Sequence, residues 1–187
     1  FYVVRNNNVS IGPISSSARP AVGLMAPPNM PVATIQRQDE DYFLRSDDPI
    51  GVGDKMVTEK LLADGDKIAL SHRCRMKFNL PNAASNTATL LLAGAKLPRP
   101  DINHVILMDR DILIGPGIGN HIRSNSNSNN NNNEKSLAMF VRDGRMYCRT
   151  QDNVIVNGKE FDGRYGLPLD TPIKIGRMNV VLVGEGV

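Results

Sequence analysis

The sequence repeats itself at a spacing of 103 to 105 residues, and this repeat constrains the fold more than any other feature. Residues 4–13 read VRNNNVSIGP and residues 107–116 read LMDRDILIGP. Residues 42–45 (YFLR) correspond to 146–149 (MYCR), and residues 62–68 (LADGDKI) correspond to 167–173 (LPLDTPI). Chance matches would scatter in spacing, and a unit of about 100 residues has the size of a whole domain. The sequence therefore predicts two copies of one module.

The apolar segments of both copies are short, alternating or rich in β-branched residues, and bounded by Gly, Pro, Asn or Asp. This pattern is typical of an all-β domain. We expect an all-β fold with two tandem β-sandwich domains. Predicted strands cover residues 1–5, 9–12, 33–36, 42–45, 50–52, 67–71 and 73–78 in the first copy, and 105–108, 112–115, 137–141, 146–149, 154–156, 172–176 and 179–183 in the second. Residues 58–63 are predicted to form a single helical turn, which is too short to change the class.

The domain boundary is predicted where Pro81, Asn82 and Ser85 interrupt the strand pattern. This interpretation assigns residues 1–80 to the first domain, 81–86 to a linker and 87–187 to the second domain. The apolar segment 88–92 then opens the second domain. Its counterpart in the first domain would precede Phe1, so we expect the first domain to lack its initial strand. Residues 124–133 (SNSNSNNNNN) are too polar to be buried and are predicted to form a surface loop of the second domain.

Composition and motifs argue against several classes of function. The 22 basic and 19 acidic residues are spread evenly and aromatic residues make up 5%, which argues against a nucleic-acid surface. His72, His104 and His121 are scattered, and Cys74 and Cys148 form no CxxC pair, so neither catalytic nor metal chemistry is indicated. We expect no enzyme activity and no cofactor. No apolar run is long enough to span a bilayer, so we expect a cytoplasmic location without membrane insertion.

The order of signals is the same in both copies. An apolar strand ends in Ile-Gly, a loop and an alternating strand follow, and a leucine-containing ending closes the copy. The first copy carries these signals at residues 9–13, 41–45 and 62–71 (LADGDKIALS), and the second at 112–116, 146–149, 156–158 (VNG) and 169–176. This order resembles that of the forkhead-associated (FHA) family over almost all of both copies. The resemblance implies two FHA-like β-sandwiches whose loops at one end bind phosphothreonine peptides.

The resemblance also implies which positions would bind the phosphate. Family members carry an arginine directly after the Ile-Gly pair, a serine three residues before a histidine, and a loop asparagine. The arginine position is Pro13 in the first copy and Pro116 in the second, and proline has neither charge nor an N–H donor. The serine is kept as Ser17 in the first copy, and the histidine and asparagine as His121 and Asn153 in the second. Other residues stand at the remaining positions: Pro20, Pro49 and Ile118. We therefore expect phosphothreonine recognition to be degenerate in both domains.

Two loops supply substitute phosphopeptide-binding candidates. The loop of the first copy offers hydroxyls and a guanidinium, and that of the second offers small residues with free backbone amides. The candidates are Ser15, Ser16, Ser17 and Arg19 in the first copy and Ile118, Asn120, His121 and Asn153 in the second. The alternative is a solvated serine-rich turn in the first copy and, in the second, a His121 that braces its loop through hydrogen bonds.

A further candidate surface follows from alternation along one strand. Arg73, Arg75 and Lys77 alternate with apolar residues and therefore share one strand face. This face is either solvated or a basic stripe for an acidic partner or for the neighbouring module.

The leading functional hypothesis is a non-catalytic protein–protein interaction module within a larger signalling or scaffold protein. Its partner is a protein or peptide, phosphorylated or not. One alternative is phosphothreonine-dependent peptide binding by the first domain through Ser17 and Arg19. Another is a structural FHA-like pair in a membrane-associated assembly.

Overall fold

The structure, a computed structural model, describes residues 1–124 and 136–184, and its fold is all-β, as the sequence predicts. The helical element among these residues is a single 3-10 turn, Gly163–Tyr165. The chain divides into two compact units, Phe1–Asp109 (unit 1) and Arg110–Val187 (unit 2). The predicted surface loop at 124–133 lies, apart from Ser124, outside the described residues.

Unit 1 is built on one curled sheet of ten strands with the order β1-β10-β9-β8-β7-β5-β4-β2-β3, and β6 pairs with β5. The strands are β1 (Tyr2–Val4), β2 (Asn8–Pro13), β3 (Val22–Leu24), β4 (Ala33–Gln38), β5 (Asp41–Val52), β6 (Lys55–Leu61), β7 (Lys67–Ser71), β8 (Cys74–Asn82), β9 (Thr87–Ala93) and β10 (His104–Leu107). The pairing of β5 with β6 shifts in register between Arg45 and Ile50. Strand β5 continues through this irregularity and joins both halves of the sheet. Alternate side chains fill the core, among them Ile11, Ile35, Leu44, Ile68, Phe78 and Leu90.

Unit 2 forms two four-stranded sheets with the orders β12-β11-β13-β14 and β16-β15-β17-β18. The strands are β11 (Asp111–Gly115), β12 (Ile122–Arg123), β13 (Leu137–Arg142), β14 (Arg145–Arg149), β15 (Val154–Val156), β16 (Lys159–Glu160), β17 (Pro172–Ile175) and β18 (Met178–Val181). The single strand β5 of unit 1 corresponds to two strands of unit 2, β14 and β15. The chain turns between these two strands, and within the turn the Asp152 amide donates to Thr150 Oγ1 over 3.0 Å. Its buried residues include Ile112, Ile114, Leu137, Met139, Ile173 and Ile175.

The sequence repeat is also a repeat of strand pairing. Val9 pairs with Ile35 in unit 1 as Ile112 pairs with Met139 in unit 2. The other strand pairs of unit 2 also have counterparts in unit 1. The pairs β11·β12, β13·β14, β15·β16, β15·β17 and β17·β18 of unit 2 correspond in order to β2·β3, β4·β5, β5·β6, β5·β7 and β7·β8 of unit 1. The two units therefore share one framework of paired strands.

The unit boundary differs from the predicted linker at 81–86. Strand β8 continues through Pro81 to Asn82, turns at 83–86 and pairs antiparallel with β9, so these residues belong to a hairpin of unit 1. A register shift between Asn79 and Asn82 accommodates Pro81, which cannot donate to the ladder. Leu90 on β9 and Leu107 on β10 are buried in the core of unit 1. The segment that the sequence assigned to the second domain therefore completes the sheet of the first.

Strand β1 and its repeat counterpart β10 lie side by side in that sheet. They pair in parallel, with Tyr2 opposite Val105 and Val4 opposite Leu107. Strand β9 separates β10 from β8. Unit 1 thus contains β9, the segment that the sequence assigned to the start of the second domain.

Hydrogen bonds from Tyr42 hold the β9–β10 segment in unit 1. The buried Tyr42 hydroxyl donates to the Asn86 carbonyl over 2.7 Å and lies 3.4 Å from the Leu107 carbonyl. The Asn86 side chain in turn donates to the Asp39 carbonyl over 2.8 Å. Burial raises the pKa of Tyr42, so its hydroxyl keeps its proton and remains a donor.

An ion pair supports the same segment. Arg37 on β4 lies 2.9 Å from a carboxylate oxygen of Asp109, which follows β10, and the Asp109 amide donates to Thr87 Oγ1 over 3.0 Å. In unit 2 the counterparts of Tyr42 and Arg37 are Met146 and Val141, which cannot form these bonds. Polar anchoring of this kind is therefore specific to unit 1.

The predicted helical turn at 58–63 is wrong. Residues 55–61 form β6, and Glu59 lies opposite Arg45 of β5. Ladder hydrogen bonds and a cross-strand ion pair with β5 outweigh the local helix propensity of Glu, Lys and Leu. The sequence also did not predict the short strands β3, β12 and β16.

Replacing Tyr42 with Phe tests this anchoring. The variant leaves the Asn86 carbonyl without its hydroxyl donor inside the protein, so we expect the free energy of unfolding to fall by about 1–2 kcal/mol. Urea unfolding checks this value, and Met146→Leu serves as the matched control in unit 2. Equal stability of Tyr42→Phe and the parent protein would contradict the role of this bond.

The buried thiol of Cys74 makes stability depend on alkaline pH. Burial raises the pKa of Cys74 to about 11 in the folded protein. As the pH rises, the unfolded chain therefore loses this proton at a lower pH than the folded protein does. The contribution of Cys74 to the free energy of unfolding is fully present below pH 9 and falls by about 2–3 kcal/mol as the pH rises through 11. We expect the free energy of unfolding of Cys74→Val, measured by urea unfolding, to fall less between pH 8 and pH 11 than that of the parent protein. Parallel pH profiles of the two proteins would refute this assignment.

Candidate functional site

One arginine occupies the same repeat position in both units but has different surroundings. In unit 1, Arg45 on β5 donates from Nε to Glu59 Oε1 over 3.0 Å and from Nη1 to Gln36 Oε1 over 2.6 Å. Its Nη2 lies 2.9 Å from the same Glu59 oxygen. Neighbouring strands on both sides thus engage this guanidinium.

Its counterpart in unit 2, Arg149 on β14, lacks both partners. Phe140 stands in place of Gln36, and Gly163 in place of Glu59. Strand β16 ends at Glu160, whereas β6 continues past Glu59 to Leu61. The guanidinium carbon of Arg149 lies 5.6 Å from the ring centroid of Phe140, and no carboxylate in the described part of the chain forms an ion pair with it.

Arg149 ends a row of stacked side chains on one face of β13 and β14. Phe140 and Tyr147 are directly opposite each other, with ring centroids 5.8 Å apart and planes inclined by 19°. The guanidinium carbon of Arg142 lies 4.5 Å from the centroid of Tyr147. We call Arg142, Tyr147, Phe140 and Arg149 the cation–aromatic ladder. Each exposed cation–π contact contributes about 0.5–1 kcal/mol and orients its guanidinium.

A cleft of about 420 Å³ lies beside this ladder. Arg149, Thr150, Asp152 and Asn153 line it from β14 and the following turn, and Cys148 also reaches it. The other lining residues are Phe140, Tyr147, Val154, Glu160, Phe161, Gly163 and Leu167. Burial raises the pKa of the Cys148 thiol, so this cysteine is a poor nucleophile near neutral pH.

The turn that carries Asp152 is held close to the backbone of Gly176. Gly176 has φ +55, and a Cβ there would lie 2.8 Å from Asp152 Oδ2. Its amide also lies 3.4 Å from the Asn153 carbonyl. Glycine at this position therefore permits the close approach that places Asp152 and Asn153 at the cleft.

The cleft contains both donors and acceptors. Arg149 and the Asn153 amide donate hydrogen bonds, and the carboxylates of Asp152 and Glu160 accept them. The aromatic walls add apolar surface. The cleft therefore presents hydrogen-bond donors, acceptors and apolar surface together.

The predicted candidates of unit 2 separate into two places. Asn153 lines the cleft, whereas Ile118, Asn120 and His121 lie in the loop between β11 and β12. His121 Nδ1 accepts a hydrogen bond from the Leu113 amide over 2.8 Å, and the His121 amide donates to the Leu113 carbonyl over 2.9 Å. These contacts match the interpretation in which His121 braces its loop.

Asn120 is also buried within this loop, and Ile118 is exposed. The side-chain amide of Asn120 donates to Ser136 Oγ over 3.3 Å. A Cβ at Gly115 would lie 3.0 Å from that same amide nitrogen, and one at Gly117 would lie 3.2 Å from it. The small residues of the loop therefore make room for Asn120.

The predicted loop of unit 1 is a tight turn. The Ser16 amide donates to the Pro13 carbonyl over 2.9 Å, and the Ser16 hydroxyl accepts from the Ala18 amide over 3.2 Å. Arg19 has φ +45. Ser15, Ser17 and Arg19 are exposed, and no described hydrogen bond joins the Arg19 guanidinium to a serine hydroxyl.

The predicted basic stripe alternates as expected. Arg75 and Lys77 are exposed, whereas Cys74, Met76 and Phe78 on the other face of β8 are buried. The exposed Arg73 lies in the turn that precedes β8. Lys77 is also opposite Lys67 of β7, so the stripe gains a fourth cation from the next strand.

Sequence reasoning did not find the cation–aromatic ladder or the carboxylates of the cleft. Arg45 and Arg149 were recognisable as equivalent residues. The pairing of Phe140 with Tyr147 depends on strand register and cannot be read from the sequence. An alignment of the two copies over residues 55–61 and 159–165 does show that Gly163 replaces Glu59, and this replacement indicates that Arg149 has lost its acidic partner.

No family model, curated protein or solved structure matches this chain. The FHA resemblance therefore stays a prediction. Within residues 1–124 and 136–184, no three His, Cys, Asp or Glu side chains gather where they could hold a metal ion. Over the same residues, no helix has the length and apolar character needed to cross a membrane.

Proposed function

We propose that this chain is a non-catalytic protein–protein interaction module whose unit 2 binds an extended peptide bearing one anionic side chain. The observation that carries this proposal is the contrast between the two equivalent arginines. Arg45 is engaged by Glu59 and Gln36, whereas Arg149 faces a cleft without a carboxylate partner among the described residues. Such a module fits a role within a larger signalling or scaffold protein.

Arg149 is suited to bind a carboxylate or a phosphate. Its guanidinium carbon lies 5.6 Å from the ring centroid of Phe140, and a cation–π contact of this kind does not use the N–H donors that bind an anion. A planar guanidinium binds both oxygens of such an anion at once. Because Arg149 is exposed, it is not deeply desolvated before the ligand arrives.

The rest of the cleft limits which peptides fit. The exposed Asn153 amide is both donor and acceptor and is placed to bind peptide backbone, the role that the FHA resemblance implies for the loop asparagine. Asp152 and Glu160 repel further negative charge. A ligand with one anionic residue flanked by polar or basic residues therefore fits better than a uniformly acidic segment.

Phosphate dependence is expected to be weak. Pro13 and Pro116 supply neither charge nor a donor at the arginine position implied by the resemblance. A carboxylate and a phosphate would then both be accepted by Arg149. Phosphothreonine binding through Ser17 and Arg19, and a structural role in a membrane-associated assembly, stay predictions that no described contact favours.

Peptide binding to matched arginine variants tests the proposal. Probes are labelled peptides of polar sequence with a central Glu, phosphothreonine or Thr, and fluorescence anisotropy gives the Kd. We expect Glu and phosphothreonine peptides to bind, and Arg149→Gln to weaken both by about tenfold or more. Arg45→Gln, the matched control in unit 1, leaves the Kd unchanged.

A second readout comes from the two cysteines. Cys148 lines the cleft and Cys74 is buried in unit 1, so bound peptide slows alkylation of Cys148 and not of Cys74. Equal loss of affinity in both arginine variants, or equal binding of the neutral Thr peptide, would overturn the proposal. Strictly phosphate-dependent binding that Ser17→Ala abolishes would establish the alternative site in unit 1.

A further inference from the structure

The end of β6 in unit 1 has no strand counterpart in unit 2. Residues 59–61 of β6 pair with residues 43–45 of β5. In unit 2, β16 ends at Glu160, and a 3-10 turn at Gly163–Tyr165 follows where β6 continues. Strand β14 pairs with β13 along one edge, and no other described strand pairs with its second edge. Both β14 and the segment that leaves this edge lie within the described residues.

One backbone hydrogen bond shows which groups face this unpaired edge. In unit 1 the Leu62 amide donates to the Tyr42 carbonyl over 2.8 Å, and in unit 2 the Leu167 amide donates to the Met146 carbonyl over 2.6 Å. The N–H and C=O of one strand residue point to the same side, and the side alternates from residue to residue. Cys148, two positions after Met146, therefore directs its N–H and C=O toward the edge that no described strand covers.

Unit 1 shows how a strand bonds at the equivalent position. Leu44 is the counterpart of Cys148, and it lies opposite Lys60 of β6. Because the backbones of Tyr42 and Leu62 are bonded, the pair of Leu44 with Lys60, two residues along, is again a hydrogen-bonded pair. A strand residue placed opposite Cys148 would make the same two bonds, one to the Cys148 carbonyl and one from the Cys148 amide.

The neighbouring pairs of unit 1 show which side chains fit on such a strand. Glu59 lies opposite Arg45 and accepts a hydrogen bond from its Nε over 3.0 Å. Leu61 lies opposite the aromatic Phe43, and it shares a strand face with Glu59 because the two residues are two positions apart. Unit 1 therefore fills this edge with an acidic residue and, two positions later, an apolar one.

The β5 members of both pairs have counterparts on β14. Arg149 and Tyr147 stand on β14 where Arg45 and Phe43 stand on β5. No carboxylate in the described part of unit 2 forms an ion pair with Arg149. Tyr147, Cys148 and Arg149 all line the cleft of about 420 Å³. The cleft therefore lies along the part of β14 that has lost its paired strand.

We propose that the peptide bound by unit 2 adds to the second edge of β14 as an antiparallel strand, with its anionic residue opposite Arg149 and an apolar residue two positions later opposite Tyr147. This inference rests on the proposed function and adds to it the binding mode, the register and a second recognised residue. In strand addition, backbone hydrogen bonds give affinity and alternate side chains give specificity. Leu167 already bonds to the Met146 carbonyl, so the paired stretch of the peptide corresponds to residues 59–61 of unit 1.

Methylation of the peptide backbone tests this binding mode without altering the protein. The probe is a labelled peptide with the β6 sequence VTEKL flanked by glycines, and fluorescence anisotropy gives its Kd for the full chain. Methylating the lysine nitrogen removes the N–H that faces the Cys148 carbonyl, whereas methylating the leucine nitrogen removes an N–H on the outer side of the added strand. We expect the first change to weaken binding about tenfold or more and the second about threefold or less.

A change of one peptide side chain tests the second recognised residue. The leucine of the probe corresponds to Leu61 and would lie opposite Tyr147. We expect a peptide with serine in its place to bind about threefold or more weakly, because apolar contact with the ring is lost. Equal binding of the two peptides would contradict this register.

Amide hydrogen exchange locates the bound peptide on the protein. We expect saturating peptide to slow exchange of the Cys148 amide, which faces the unpaired edge, and to leave the Tyr147 amide, which faces β13, unchanged. A Cys148 amide that is already protected in the chain alone would contradict the proposal. Protection that rises with protein concentration would assign the edge to a second copy, and constant protection would assign it to the chain's own residues.

The methylated peptides also separate this inference from the proposed function. Binding of the unmodified peptide that Arg149→Gln weakens, combined with equal effects of the two methylations, would overturn strand addition and leave the proposed function standing. A parent chain that does not bind the unmodified peptide would overturn both.

Discussion

The pairing of β9 with β8 is the interaction on which the rest of the structure depends. It places Leu90 opposite Phe78 in the core of unit 1 and satisfies the backbone edge of β8. Tyr42 and the ion pair between Arg37 and Asp109 add polar anchors that have no counterpart in unit 2. Strand β9 therefore completes the sheet of unit 1 beside β8, and within residues 110–124 and 136–184 no strand takes the equivalent place beside β18.

The same framework has diverged at a second place. Strand β6 covers seven residues and holds Glu59 against Arg45, whereas β16 covers two and gives way to a turn. The residue at the position of Glu59 is Gly163, which cannot pair with Arg149, and the Arg149 guanidinium instead contacts the ring of Phe140. Arg45 is therefore bound by its neighbours in unit 1, whereas Arg149 has no ion-pair partner among the described residues of unit 2. The two copies share their strand pairs but differ in the side chains around this arginine.

Several parts of this fold could be predicted from the sequence because they depend on local patterns. Short alternating segments predicted the all-β class, whereas strand pairs such as Val9 with Ile35 and Ile112 with Met139 were not predicted. The linker at 81–86 could not be told from a hairpin turn, since Pro and Asn interrupt both. Assigning β9 to unit 1 requires long-range contacts with Phe78 and Tyr42. Residues 58–63 carry helix-forming residues that become a strand only because β5 is available to pair.

The candidate site was harder to predict for the same reason. The FHA resemblance named Asn153, which lines the cleft, and His121, whose backbone and ring both contact Leu113. Phe140 and Tyr147 are seven positions apart in sequence, and their stacking follows only from the register of β13 and β14. Of the positions implied by the resemblance, Asn153 lies in the turn that lines the cleft, whereas Ile118 and His121 lie in the separate loop between β11 and β12.

Native-state hydrogen exchange of the Lys77 and Val181 amides tests most directly the claim that equivalent edges are covered in unit 1 and open in unit 2. Both amides face away from the preceding strand, and only Lys77 has β9 opposite it. We expect the Lys77 amide to exchange only through opening of unit 1, and the Val181 amide to exchange near the rate of an unprotected peptide. Equally slow exchange of the two amides in the isolated chain would show that a strand also covers β18 and would contradict the account.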